Sequence, residues 1–214
     1  MSSVTPWLTS ASASLAAQTP LSVSAAAFTI PIPGQSVVTF TGQAILANSP
    51  PSLAAITSFA TNVGIQLNIT NQASDVDVPA QTLTFLLLSG PTNALLNTAN
   101  GIFTWRPMVA QATTTNQITV KVSDSGTPSL SATNRYTITV NPLAASGFNA
   151  INLTGGQVIL TATGALGPDY TLLTSTNLVN WQPLFVTNPT VMPVQLSTPN
   201  SAEPQRFFRL QPGP

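Results

Sequence analysis

Apolar and polar side chains alternate with a period of two through most of the chain, and the clearest case is Gln117–Val122. Ile118, Val120 and Val122 fall on one side there, and Thr119 and Lys121 on the other. Arg135–Val140 repeats the pattern, with Tyr136, Ile138 and Val140 opposing Thr137 and Thr139. Proline and glycine interrupt the chain every few residues, and the runs between them are rich in Thr and Val, which favour extended backbone. The pattern predicts strands at Leu21–Ser24, Ala27–Ile32, Ser36–Thr41, Leu53–Phe59, Gly64–Thr70, Thr82–Leu88, Gly101–Trp105, Gln117–Val122 and Arg135–Val140. It predicts five more at Gln157–Thr163, Tyr170–Ser175, Trp181–Val186, Met192–Leu196 and Gln205–Leu210. The one helix-compatible patch is Ala11–Gln18, because Glu, Lys and Arg, which propagate helices well, are almost missing. Strands with one wet face at this spacing predict an all-β chain of tandem antiparallel sandwiches.

Punctuation divides the chain into three blocks. Residues 1–47 contain no charged side chain and form a strand segment too short and apolar to stand alone, so it is expected to complete a sheet of this chain, of an upstream domain or of a neighbouring subunit. Residues 48–142 open after Pro50-Pro51 and close at Asn141-Pro142, the length of one sandwich. Residues 143–214 predict a second, smaller one. Charges balance within each of the last two blocks, Asp75, Asp77 and Asp124 against Arg106, Lys121 and Arg135, and Asp169 and Glu203 against Arg206 and Arg209. That balance implies self-contained units.

Composition removes whole classes of chemistry. Charged residues are 5% of the chain, against about 25% in an ordinary soluble domain, and five cations cancel five anions. No clustered basic field exists for nucleic acid or an anionic membrane surface, and no apolar run is long enough to insert into a bilayer. Without histidine or cysteine the chain lacks the usual ligands for structural zinc or haem, disulfides, and a Ser-His-Asp relay. The Thr, Ser, Asn and Gln surface points to an extracellular or cell-surface setting. Met1–Pro6 carries neither the basic nor the apolar part of a secretory signal, so the expectation is a fragment of a longer chain or a true start elsewhere. Two sequons, at Asn68 and Asn152, matter only in a eukaryotic secretory host.

Three separated motifs, Asp75-Val76-Asp77-Val78-Pro79-Ala80-Gln81-Thr82, Asn100-Gly101-Ile102-Phe103-Thr104-Trp105 and Val122-Ser123-Asp124-Ser125-Gly126-Thr127-Pro128, stand in one order. Through them the middle block resembles the cadherin-like, putative immunoglobulin domains of bacterial surface and secreted proteins. Tyr170-Thr171-Leu172, Ser175–Trp181 and Gln205–Leu210 make the last block similar to a C-terminal β module of planctomycete and verrucomicrobial secreted proteins. Val4–Ser10, Phe28–Pro31 and Gln35–Phe40 make the first resemble the closing strands of the β side domain in secreted glycoside hydrolases of the xylanase and galactanase type. These likenesses imply immunoglobulin-like sandwiches in the order enzyme end, spacer, terminal module.

Glycoside hydrolysis needs two carboxylates about 5 to 9.5 Å apart. Glu203 and four aspartates do not suggest such a pair, so the chain is expected not to be an enzyme. The cadherin resemblance implies calcium instead, with Asp75, Asp77 and Asp124 on the family's ligand positions and Asn71, Asn134 and main-chain carbonyls completing the shell. The family's further acidic positions are here Val63-Gly64 and Trp105-Arg106-Pro107, which implies weak binding of about 10⁻⁴ to 10⁻³ M. The competing reading has Asp75 and Asp124 capping turns through backbone N–H groups. Trp105 and Trp181 are either sugar-stacking platforms or core fillers, Trp7 is the most exposed, and Arg206 or Arg209 is expected to pair with Asp169 or Glu203. Together these features predict a non-catalytic accessory, adhesion or spacer region of a secreted bacterial protein, the tail of a polysaccharide-degrading enzyme, with polysaccharide as a partner. The alternative is a filament or surface-layer subunit that self-associates by strand addition, since a single Lys leaves sheet edges bare.

Overall fold

The computed structural model describes residues 2–23, 27–42 and 47–213. Among them every regular element is a strand, apart from one turn of 3₁₀ helix at Val109–Gln111. Contacts divide the chain into two compact units, one running to Ser49 and taking in Asp77–Pro79, the other comprising Pro50–Val76 and Ala80–Pro214.

In the N-terminal unit, β1 (Ser2–Ser10) lies against β2 (Ala13–Ala17), β3 (Leu21–Val23) and β4 (Val37–Gly42) in one antiparallel sheet. Its strands therefore pair with one another. The helix-compatible patch is the β2 hairpin arm, with Trp7 opposite Ala17, and Ala27–Ile32 forms no strand. Pro6 is the one buried residue among those described in this unit.

The larger unit contains two sandwiches. The first comprises β5 (Ser52–Leu53), β6 (Phe59–Thr61), β7 (Leu67–Thr70), β8 (Ala73–Ser74), β9 (Thr84–Ser89), β10 (Leu95–Leu96), β11 (Ile102–Trp105), β12 (Thr115–Ser123) and β13 (Ser131–Val140). Its sheets have the orders β10-β11-β7 and β6-β13-β12-β9, with β5-β8 as a separate ribbon. The alternation read from the sequence places Ile118, Val120, Val122, Tyr136, Ile138 and Val140 inside, where Phe103 and Trp105 of the facing sheet meet them. The Phe103 and Tyr136 rings stand edge to face, 6.4 Å between centroids. One pair departs from the antiparallel expectation: β6 runs parallel to β13. The expected single strand Leu53–Phe59 is split, because the chain leaves β8 after Leu53 and joins β13 at Phe59.

The second sandwich comprises β14 (Gly147–Thr154), β15 (Gln157–Thr163), β16 (Tyr170–Ser175), β17 (Gln182–Thr187), β18 (Val194–Pro199) and β19 (Phe207–Pro212). Its sheets are β14-β15-β18 and β17-β16-β19, around Val158, Leu160, Ala162, Tyr170, Leu172, Leu196 and Leu210. Strand β14, absent from the sequence-based expectation, forms a hairpin with β15 through Gly155 and Gly156, both in the left-handed region that this tight turn requires.

Candidate functional site

The one ion pair among the described residues joins the two sandwiches. Arg106 follows β11 directly, between buried Trp105 and Pro107, so its backbone is fixed by the core behind it. Its guanidinium grips Asp169 with both arms, Nη1 donating to Oδ2 at 3.1 Å and Nη2 to Oδ1 at 2.9 Å. The remaining donors go to main chain on both sides, Nε to the Gly64 carbonyl at 2.8 Å and Nη2 to the Gly167 carbonyl at 3.0 Å. Asn188 completes the joint, its Nδ2 donating to Asp169 Oδ1 at 2.6 Å and to the Gly167 carbonyl at 3.0 Å. The hydrogen bond from Arg106, then that from Asn188, holds the Asp169 carboxyl below the usual carboxylate range, and the same contact raises Arg106. The two side chains are 34% and 25% exposed, so water screens the pair, and roughly 1–2 kcal/mol is a fair scale for it.

Glycine makes the close approach possible. Gly64 has φ +74°, and a Cβ on it would run into the Gly167 main chain; a Cβ on Gly167 would lie 2.6 Å from the Val63 carbonyl oxygen. Backbone meets backbone here because neither position carries a side chain.

This geometry corrects the expectation that Arg206 or Arg209 pairs with Asp169: that carboxylate meets Arg106 of the other sandwich, so charges that balance in number within each block are partnered across blocks. The register explains it: Tyr170 lies opposite Pro212 and Ser175 opposite Phe207, which places Asp169 and Arg206 at opposite ends of the β16–β19 ladder. Arg206 instead donates to Thr174 Oγ1, the Pro199 carbonyl and Thr198 Oγ1 and lies over the Phe208 ring. Sequence reasoning passed over the joint. Its only traces are an Arg wedged between Trp105 and Pro107 and glycines at 64 and 167.

Asp124 is buried, and its Oδ1 accepts from the N–H groups of Gly126 at 3.0 Å and Leu130 at 2.9 Å, the capping geometry of an Asx turn. Asp77 falls in the N-terminal unit, its Oδ2 accepting from the Ser49 N–H, while Asp75 is half-buried in the larger unit. Asn71 and Asn134 donate to the carbonyls of Gly101 and Ala54. Among the described residues no three His, Cys, Asp or Glu side chains gather where one ion could hold them. The tryptophans divide. Trp105 fills the core and donates to Asn93 Oδ1, Trp181 is half-buried with the Arg209 guanidinium 5.0 Å from its ring centre, and Trp7 is half-buried and donates to Thr41 Oγ1. No described helix is long and apolar enough to cross a membrane.

No family model matches the chain. None of the curated proteins matches it either. Solved structures similar to it include the protocadherin gammaB4 extracellular domain, at 14% identity over 64% of this chain and 28% of that one, with a TM-score of 0.40. Human CDH23 EC21-23 is 18% identical over 59% of this chain and 50% of its own, with a TM-score of 0.40. The endo-fucoidan hydrolase MfFcnA4, of glycoside hydrolase family 107, is 17% identical over 66% and 25%, with a TM-score of 0.41. The chain spans half or less of each of these structures.

Proposed function

We propose that this chain is a non-catalytic extracellular accessory region, a spacer or adhesion segment of a secreted bacterial protein that degrades polysaccharide, and that its work is geometric. The observation that carries this reading is the Arg106–Asp169–Asn188 joint, which uses the chain's one ion pair among described residues to fix two sandwiches against each other. A spacer needs a fixed distance more than a pocket. The near-absence of charge fits a segment that meets polysaccharide or neighbouring domains without long-range fields.

Small-angle scattering on the wild type and on Gly64→Ala tests it. The wild type should scatter as one arrangement of the two sandwiches, while Gly64→Ala, whose new methyl collides with Gly167, should broaden the distance distribution with both sandwiches still folded by circular dichroism. Equal distributions for the two proteins, or turnover of a polysaccharide by the chain alone, would overturn the reading.

A further inference from the structure

The outer strands of the C-terminal sandwich are guarded unevenly. Three of the four carry proline, Pro183 in β17, Pro199 in β18 and Pro212 in β19, and β19 adds Arg209. Strand β14 has neither proline nor charge over its eight residues. Charge and proline are the usual protection of a sheet edge, so β14 is the open one. In the middle sandwich the comparable bare edge, β9, is already engaged, because its Phe85 N–H donates to the Thr98 carbonyl. Among the described residues β14 makes no backbone hydrogen bond outside its ladder with β15.

Its apolar side chains point the wrong way for a finished edge. Ile151 and Leu153 lie opposite Leu160 and Val158, both buried, so they stand on the core side of the sheet. Yet they are 59% and 70% exposed. The facing sheet also ends here, at β19, and between the two edges lies an open groove of ≈ 280 Å³ whose apolar lining is Ile151, Leu153, Val158, Pro204 and Phe208. With six strands the sandwich is one short of the seven that close an immunoglobulin-type domain.

We infer that β14 pairs antiparallel with β14 of a second copy of this chain, closing a two-fold dimer across this groove. The occupant follows from the strand's own pattern. A two-fold register centred on Asn152 sets Ile151 of one copy against Leu153 of the other, twice, on the core side. Neither strand brings a charge to the seam, because β14 has none, and the groove beside it carries one charge of each sign, Glu203 and Arg206. The joined layer reads β18-β15-β14-β14-β15-β18, and because one patch serves both copies the contact is self-limiting. The pairing is independent of the spacer role, since a locked pair of sandwiches can stand singly or doubled.

Sedimentation velocity of the full chain at rising concentration tests the dimer. A monomer–dimer equilibrium is expected. Leu153→Lys should weaken it about tenfold or more by placing a cation in the seam, with circular dichroism and melting unchanged. Leu86→Lys on β9 should leave it intact. Because the chain has no cysteine, Asn152→Cys reads the register directly: residue 152 faces its own copy and should oxidise to a disulfide-linked dimer faster than Asn149→Cys. Monomers at every concentration, assemblies that grow past the dimer, a dimer indifferent to Leu153→Lys, or no faster cross-linking at position 152 would each overturn the inference.

Discussion

The middle sandwich and the N-terminal sheet are built from the same Thr, Val, Ser and Ala alternation, yet among the described residues only the first has an interior. Ten hydrophobic side chains are buried in the middle sandwich, several with no exposure at all. Among the described residues of the N-terminal unit Pro6 alone is buried, while Val37, Phe40, Phe28 and Ile32 face solvent. Pairing satisfies backbone donors and acceptors in both. Burial needs a second layer, and the stability of a β domain comes chiefly from that layer.

The strongest way to break this comparison is to truncate one hydrophobic side chain in each region. Phe103→Ala empties a fully buried site and should cost about 3–5 kcal/mol, whereas exposed Val37→Ala should stay within about 0.5 kcal/mol in denaturant melts of the full chain. Comparable losses would mean the N-terminal sheet gains a covering layer in solution.

Next in size is an alkaline effect, in which Tyr136 of the middle core is joined by Tyr170 of the second sandwich, raised by burial in the same direction. Burial pushes the Tyr136 hydroxyl from 10.0 up to about 12, and the side chain it faces is Asn71. Below pH 10 folded and unfolded states both hold this proton; between about 10 and 12 only the folded state does. The unfolded state is therefore favoured as pH rises, and roughly 3 kcal/mol of stability should disappear across that window. Tyr136→Phe should flatten the pH profile there, and an unchanged slope would show that the hydroxyl is not what titrates.

A smaller effect separates turn capping from metal binding. Asp124→Ala strips the acceptor from two N–H groups and should cost about 1–3 kcal/mol, by the same amount in calcium and in chelator. The wild-type melting midpoint should likewise be unchanged by calcium. A calcium-dependent rise that Asp124→Ala abolishes would restore the metal reading.

The smallest concerns the joint. Asp169 is held below the usual carboxylate range by Arg106, so the joint's contribution is fully present above about pH 4 and is lost as pH falls through the lower folded value. About 1 kcal/mol is expected to go on acidification, read as a broadening of the scattering distribution with the sandwiches still folded. Arg106→Ala should remove that acid dependence.

The sequence displayed what depends on neighbours along one strand. Ile118, Val120 and Val122 announced a half-buried ribbon, and Tyr136, Ile138 and Val140 its partner, because period-two alternation is a local consequence of pleating. It hid β14 because a bulge between Phe148 and Ala150 puts the apolar residues Phe148 and Ile151 three apart, which breaks that period. It hid the break after Leu53 for a similar reason: a strand that changes partners keeps its composition.

By itself, then, the chain's order of residues determined that it would be all strand, nearly uncharged, and stacked in sandwiches, since propensity and alternation act over a few residues. Which arginine would meet Asp169, whether Asp124 would cap a turn, and which edge would lie bare were decided only by the folded structure. Those outcomes depend on register and on backbone approach between segments 60 or so residues apart, such as Arg106 to Asp169, and no local pattern encodes that distance.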